Sequence, residues 1–392
     1  MPGASDRARG LTARFTALAL IALAANAYAT TSAGAASCKP APRASLVGCN
    51  FRNRDLHGID VHAADLTGAD FSGANLTGAR ITQATVTKAN FAGAKLRLLV
   101  SGRLRGTPKA LPKPWVLRHG FFLGPGVNAA GGALSGGSYR NLNLAGAILA
   151  KAHFYGADLT GANLSGVDAH HTGFGSAHLN KANLSHANLN SAGFTAASLH
   201  DTNLTGANLN NADLDDASLE GTRLTGATLS TASLVHASSR AIVGIPKNLP
   251  ATWLIIHGYL VGPGASLAHA NLQGLKLAAA NLSRVVSGGV TGVPATLPAN
   301  WSIVAGYLVG PAADLTGAQL AGANLSGAHF DHARFVWADL TNADFSGTNF
   351  VGVNLHWATA EGADFTNTTW TKTICPDGSN SGGNGQTCIG HL

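Results

Sequence analysis

The chain repeats itself every five residues. The unit reads Ala-(Asp/Asn)-(Leu/Phe)-(Ser/Thr)-x, as in Ala64-Asp65-Leu66-Thr67-Gly68 and Ala74-Asn75-Leu76-Thr77-Gly78. A helix returns to one face after about 3.6 residues and a strand after two, so neither carries a period of five. A fixed short period instead builds a one-dimensional stack in which each turn of chain rests on the last. Such a stack lengthens by adding coils and needs no single large core, so 392 residues do not imply several globular domains.

The central apolar residues fall into four blocks, Phe51 to Leu96, Leu134 to Leu234, Leu267 to Leu282 and Leu315 to Trp370. Alanine stands two places before the centre in most repeats, which suggests a second inward position with room for one methyl group. The aromatic centres reveal a longer period. Phe51, Phe71 and Phe91 are twenty residues apart, as are Phe154, Phe174 and Phe194, and Phe330, Phe350 and Trp370. Four repeats therefore close one turn. Charges at the same spacing, such as Asp60 with Arg80, Asp314 with Arg334 and Asp216 with His236, are expected to meet on the surface of adjacent coils.

On these residues the chain resembles the pentapeptide-repeat family. The resemblance implies an all-β fold, a right-handed quadrilateral parallel β-helix. About twelve coils rising roughly 4.8 Å each would make a rod on the order of 55 Å long. It also implies that the central residue and the alanine face inward while the other three positions face solvent.

The N-terminus reads as a leader for export. Arg7, Arg9 and Arg14 precede an apolar stretch from Phe15 to Ala25, followed by Ala27-Tyr28-Ala29 as a cleavage pattern. A secreted or envelope-associated location follows, with no transmembrane segment in the mature chain. The four cysteines agree, as two local pairs at opposite ends of the array, Cys38 with Cys49 and Cys375 with Cys388. Lipidation of Cys38 is a weaker alternative, because Ala35-Ala36-Ser37 is a poor lipid-attachment signal.

Three related inserts interrupt the blocks. Each reads Gly-x-Pro-x-x-Leu-Pro-x-x-Trp-x-x-x-x-Gly-(Phe/Tyr), then two apolar residues and Gly-Pro, over Gly106–Pro125, Gly244–Pro263 and Gly292–Pro311. The second predicts a β-hairpin turning near His257-Gly258. Looping out from the array, such hairpins would serve as flaps covering one face. Alternatively they would present tryptophan and tyrosine to a partner. The resulting organisation is a leader at 1–29, a cap at 30–48, repeat blocks at 49–98, 132–236, 265–284 and 313–372, inserts at 99–131, 237–264 and 285–312, and a C-terminal disulfide cap at 373–392.

Charge is sparse and uneven. The net charge is +7, with charged residues only 11% of the chain. Between Phe71 and Ala157 there is no Asp or Glu, and Arg97, Arg103, Arg105, Lys109, Lys113 and Arg118 gather around the first insert. Such a cluster is either an ordinary solvated face or an anion-binding surface.

Catalytic and metal signals are weak. The histidines are scattered, and the adjacent pair His170-His171 points in two directions if it lies in a strand. Asp213, Asp215 and Asp216 cluster around one repeat whose outward positions diverge. Cys375-Pro376-Asp377-Gly378-Ser379-Asn380 reads as a turn, since a calcium loop needs several regularly spaced acids. The sequence thus predicts a non-catalytic exported scaffold or binding protein with no cofactor and no metal. Its partner stays open between an anionic envelope polymer and a protein. The candidate binding residues are the six cations and the insert tryptophans Trp115, Trp253 and Trp301. Two rivals remain. The family includes DNA-mimicking topoisomerase binders, which need an acidic surface, and other parallel β-helices degrade polysaccharides.

Overall fold

The computed structural model describes residues 38–392. The proposed leader at 1–29 and the start of the cap lie outside them. The described chain winds as a parallel coil. Residues twenty apart pair as ladder neighbours from Ser45 with Asp65 to Asn354 with Ile374, interrupted only at the inserts. No helix of the described residues is long and apolar enough to cross a membrane.

Each position of the repeat has a separate physical job. Central leucines and phenylalanines are fully buried, as at Leu66, Phe154 and Leu340, and so are the preceding alanines such as Ala69 and Ala157. Burial of each large side chain contributes about 1.5–3 kcal/mol. The Asp or Asn before the centre folds back on its own turn. Asp65 Oδ1 accepts the N–H of Thr67 at 3.0 Å, and Asn163 Oδ1 that of Ser165 at 3.1 Å. The fifth residue turns the corner in the left-handed region, as with Gly68 at φ 69° and Asp216 at φ 59°. Glycine adopts that conformation without strain, which is why it recurs there.

Aromatic centres stack from coil to coil as their spacing predicts. The ring centroids of Phe71 and Phe91 are 5.1 Å apart, and those of Phe174 and Phe194 5.0 Å. Where threonine replaces the inward alanine, its hydroxyl is satisfied. Thr172, Thr202 and Thr222 each donate to the carbonyl of the residue twenty-three positions earlier, at 2.8 Å.

Surface pairing differs from expectation. Of the charge pairs read from the sequence, Asp216 and His236 meet at 3.2 Å. Asp60 and Arg80 are ladder neighbours, but Arg80 Nε donates to Thr82 instead. Asp158 takes Arg140, eighteen residues away, at 2.9 Å. A long side chain leans along the coil and so reaches a residue beside its direct neighbour.

The inserts form three antiparallel hairpins, β1 (Val116–Arg118) with β2 (Phe121–Leu123), β3 (Leu254–Ile256) with β4 (Tyr259–Val261), and β5 (Ser302–Val304) with β6 (Tyr307–Val309). Their turn pairs, His119-Gly120, His257-Gly258 and Ala305-Gly306, all have positive φ at both positions, as a tight two-residue turn requires.

These hairpins are not flaps. The second strand of each passes into the interior, where Phe122, Leu123, Leu260, Val261 and Leu308 are all 0% exposed. Successive strand residues point to opposite sides, so one packs against the core below and the next against the core above. Phe122 belongs to the core that starts at Leu46, and Leu123 to the core that runs on through Leu234. Leu260 and Val261 divide the next pair of cores in the same way, and Leu308 and Val309 the last. Each hairpin is a floor across the rod.

The described ladder passes each floor on one side, through Val100 with Asn128, Ser238 with Ser266, and Val286 with Asp314. There the spacing rises from twenty to twenty-eight residues. The disulfides Cys38–Cys49 and Cys375–Cys388 close the two ends. Near the C-terminus β7 (Asn349–Val351) pairs in parallel with β8 (Thr369–Thr371). Beyond it the chain doubles back through an antiparallel bridge from Ile374 to Asn380, which covers the last rung.

Candidate functional site

The six cations around the first insert lie on the coil that carries the first floor. Arg97, Arg103, Arg105, Lys109, Lys113 and Arg118 are all exposed. Arg105 extends the ladder above Thr85, and Arg103 sits at a corner with φ 53°. Arg118 Nη1 donates to the carbonyl of Leu117 at 3.1 Å. Among the described ion pairs none involves any of the six. Beside them a groove of about 380 Å³ opens between Val116 of β1 and Tyr139 of the coil above, with Arg118 and Arg140 on its edge. Burial pushes the Tyr139 phenol up to about 12, and its hydroxyl meets His119 Nδ1 at 2.9 Å.

The acidic cluster does not converge. Asp213 accepts from the Thr195 hydroxyl at 2.8 Å and from the Asp215 N–H at 3.0 Å. Asp215 accepts from Val235 N–H at 2.9 Å and from the Ser233 hydroxyl, and Asp216 faces His236. These carboxylates are engaged in ladder and turn contacts. His170 pairs with Asp168 at 2.7 Å, and among the described residues no group of three or more His, Cys, Asp or Glu could hold a metal ion. Asp377 serves the C-terminal turn. It is held at about 2 by the hydroxyl and N–H of Ser379 and by His391.

Models of pentapeptide repeats match residues 44–83, 64–98, 312–347 and 331–367, and a pentapeptide repeat region matches 147–224. The chain is a pentapeptide-repeat protein. Its four-sided parallel coil is therefore of the right-handed kind, and the family is of the non-enzymatic scaffold type.

Similar solved structures include HetL, a pentapeptide repeat protein involved in heterocyst differentiation regulation in the cyanobacterium Nostoc sp. strain PCC 7120. It is 21% identical, with 84% of this chain and 93% of that chain covered and a TM-score of 0.15. QnrB1, a plasmid-mediated fluoroquinolone resistance protein, is 18% identical over 49% of this chain and 77% of its own, with a TM-score of 0.24. A pentapeptide repeat protein from the Arabidopsis thaliana thylakoid lumen is 33% identical over 27% of this chain and 68% of its own, with a TM-score of 0.15. No curated protein sequence matches the chain.

In this pentapeptide-repeat protein the insert tryptophans are not an outward-facing set, which corrects the sequence expectation. Trp253 is only 9% exposed, and Trp115 and Trp301 are half-buried. Each indole lies against the glycine that follows its hairpin. A Cβ on Gly124, Gly262 or Gly310 would fall 2.3–2.4 Å from the ring, so only glycine fits there. The repeated Gly-Pro after each hairpin is the seat of its tryptophan. Trp253 packs in the core below the second floor, and Trp301 against the cores on either side of the third.

Two exposed tryptophans escaped the sequence reading. Trp337 and Trp357 are 60% and 56% exposed, with ring centroids 5.2 Å apart and planes 5° from parallel. Both sit at corners, with φ of 59° and 60°. Their twenty-residue spacing at the fifth repeat position was the available signal.

Proposed function

We propose that this protein is a non-catalytic binding scaffold working outside the cytoplasm, which holds an anionic polymer against the cationic surface of its first hairpin joint. One observation carries the reading. Six exposed cations border the joint with no described carboxylate partner, in a stretch without Asp or Glu from Phe71 to Ala157. Unneutralised cations on a rigid support attract polyanions from a distance. Export is supported by the leader pattern before Ala29 and by the two disulfides, which suit an oxidising compartment.

The test uses the protein without residues 1–29 and inorganic polyphosphate as probe. Binding should weaken as salt rises, and the triple variant Arg103→Glu, Arg105→Glu, Lys109→Glu should lose it. Unchanged binding by that variant, or none by the parent at low salt, overturns the reading. Recovery of the intact, unprocessed chain from the cytoplasm alone would refute export.

A further inference from the structure

A second site lies on the side of the rod whose ladder passes the second and third floors. A groove of about 850 Å³ there is lined by His236, Arg284, His332 and Arg334, with Asp314 the one carboxylate among its lining residues and Thr316 at its edge. Three of these bases share one corner of the coil. His236 N–H reaches Gly264 O at 2.6 Å, Gly264 N–H reaches Ser283 O at 2.8 Å, and Arg284 N–H reaches Ala312 O at 2.6 Å. From there Ala312 N–H reaches Asp331 O at 2.7 Å, next to His332. The corner therefore alternates a base with a bare or nearly bare residue: His236, Gly264, Arg284, Ala312, His332. With rungs roughly 4.8 Å apart, the bases recur about every 10 Å. That interval is comparable with a disaccharide unit of an extended chain.

The opposite corner of the same side carries the exposed indoles. Arg334 precedes Trp337 by three residues, and Thr316 adjoins Gly317, one coil below Trp337 on the corner. One face of Trp337 is covered by Trp357, and Trp357 is stacked in turn on His356 at 3.8 Å. One coil below Trp337 the corner residue is Gly317, which has no side chain to cover the ring, and an added Cβ there would meet nothing within 4 Å. An open indole face therefore stands beside a groove that carries the guanidinium groups of Arg284 and Arg334. The indole suits a flat, partly apolar ring, and the guanidinium groups suit carboxylates, which they grip through paired hydrogen bonds.

We infer that this side of the rod binds a linear acidic polysaccharide of uronic-acid type, with a sugar ring on Trp337 and carboxylates on Arg284 and Arg334. The inference rests on the reading of the chain as a binding scaffold but uses none of the cations of the first joint.

The experiment titrates the full processed chain with an oligogalacturonate, its methyl-esterified form and a single-stranded DNA oligonucleotide, followed by tryptophan fluorescence and calorimetry. The oligogalacturonate should bind, and esterification should weaken it at least tenfold. Trp337→Ala and the pair Arg284→Glu, Arg334→Glu should each weaken it at least tenfold, since all three residues are exposed and their loss leaves the core intact. The triple variant of the first joint should keep oligogalacturonate binding while losing polyphosphate.

No binding of oligogalacturonate, equal binding of the ester, or unchanged binding by the Trp337 and Arg284/Arg334 variants overturns the inference. Tighter binding of single-stranded DNA that is lost in those variants also overturns it, in favour of nucleic acid. Polyphosphate binding that survives in the groove variants separates failure here from failure of the first-joint reading.

Discussion

The hydroxyl of Ser101 accepts the backbone N–H of Phe122 at 3.0 Å, deep inside the rod. Ser101 stands at an inward central position, directly above Ile81 in the coil, where most repeats carry leucine or phenylalanine. Ser239 receives Leu260 N–H at 2.7 Å, and Ser287 receives Leu308 N–H at 2.9 Å, in the same geometry. Each floor strand crosses a space that a side chain would otherwise fill. The serine gives its central N–H a partner there. Without one, a buried donor carries its full desolvation cost.

Replacing Ser239 with alanine should therefore destabilise the second floor by about 1–3 kcal/mol. Hydrogen exchange at the Leu260 amide should accelerate, while amides in the middle of the long block, such as Leu184, stay protected. Equal protection of Leu260 in parent and variant would show that the serine is dispensable.

Gly262→Ala should be worse tolerated than its size suggests, since its methyl group would lie 2.3 Å from the Trp253 ring. Overpacking of this kind costs about 1–3 kcal/mol. The emission of Trp253 should move to the red as the indole is displaced, most clearly in a variant with the other tryptophans replaced by phenylalanine. A parental melting temperature and spectrum would count against the seat described for this indole.

Removal of the C-terminal disulfide with the pair Cys375→Ser, Cys388→Ser should fray the last coil. A closed loop of this size contributes about 3 kcal/mol by chain entropy, and its cysteines are fully buried in the last core cluster. Limited proteolysis should cut near Gly382-Gly383 in the variant and leave the first blocks whole. Identical cleavage of both proteins would argue that the doubled-back chain suffices as a cap.

Asp158 links stability to acid. Burial pushes its carboxyl up, but bonds from the hydroxyl and N–H of Thr160 and from Arg140 outweigh that and hold it at about 2. Because the folded value lies below the ordinary one of 3.8, the contribution is present in full above about pH 4. It fades as the pH falls from there through about 2. Carboxyl titration by NMR should place the midpoint near 2, and Arg140→Ala should raise it. An ordinary midpoint in the parent would remove this link.

The period of five was enough to predict an inward central residue, an inward alanine and a twenty-residue rung. Each is a local consequence of which positions tolerate water. Cysteine spacing likewise identified both disulfides, because only residues near in sequence share an end of a rod. The hairpins were legible as hairpins, since His257-Gly258 sits between two apolar runs of strand length.

Their destination was not legible. An apolar pair such as Leu260-Val261 reads the same whether it covers an outer face or divides two cores. The difference lies in what stands above and below it. Ser101, Ser239 and Ser287 each precede the insert glycine by five residues, a regularity visible in the sequence. Its meaning depends on the buried N–H that each serine meets from a strand about twenty residues later. The groove beside Trp337 has the same origin. His236, Arg284 and His332 share a corner only because each floor adds eight residues to its coil and still returns the chain to the same ladder. Sequence alone determined the repeating unit, through side-chain burial and corner conformation. The tertiary structure decided where the interruptions go and which distant residues they bring together, because that depends on closure of the coil across its axis.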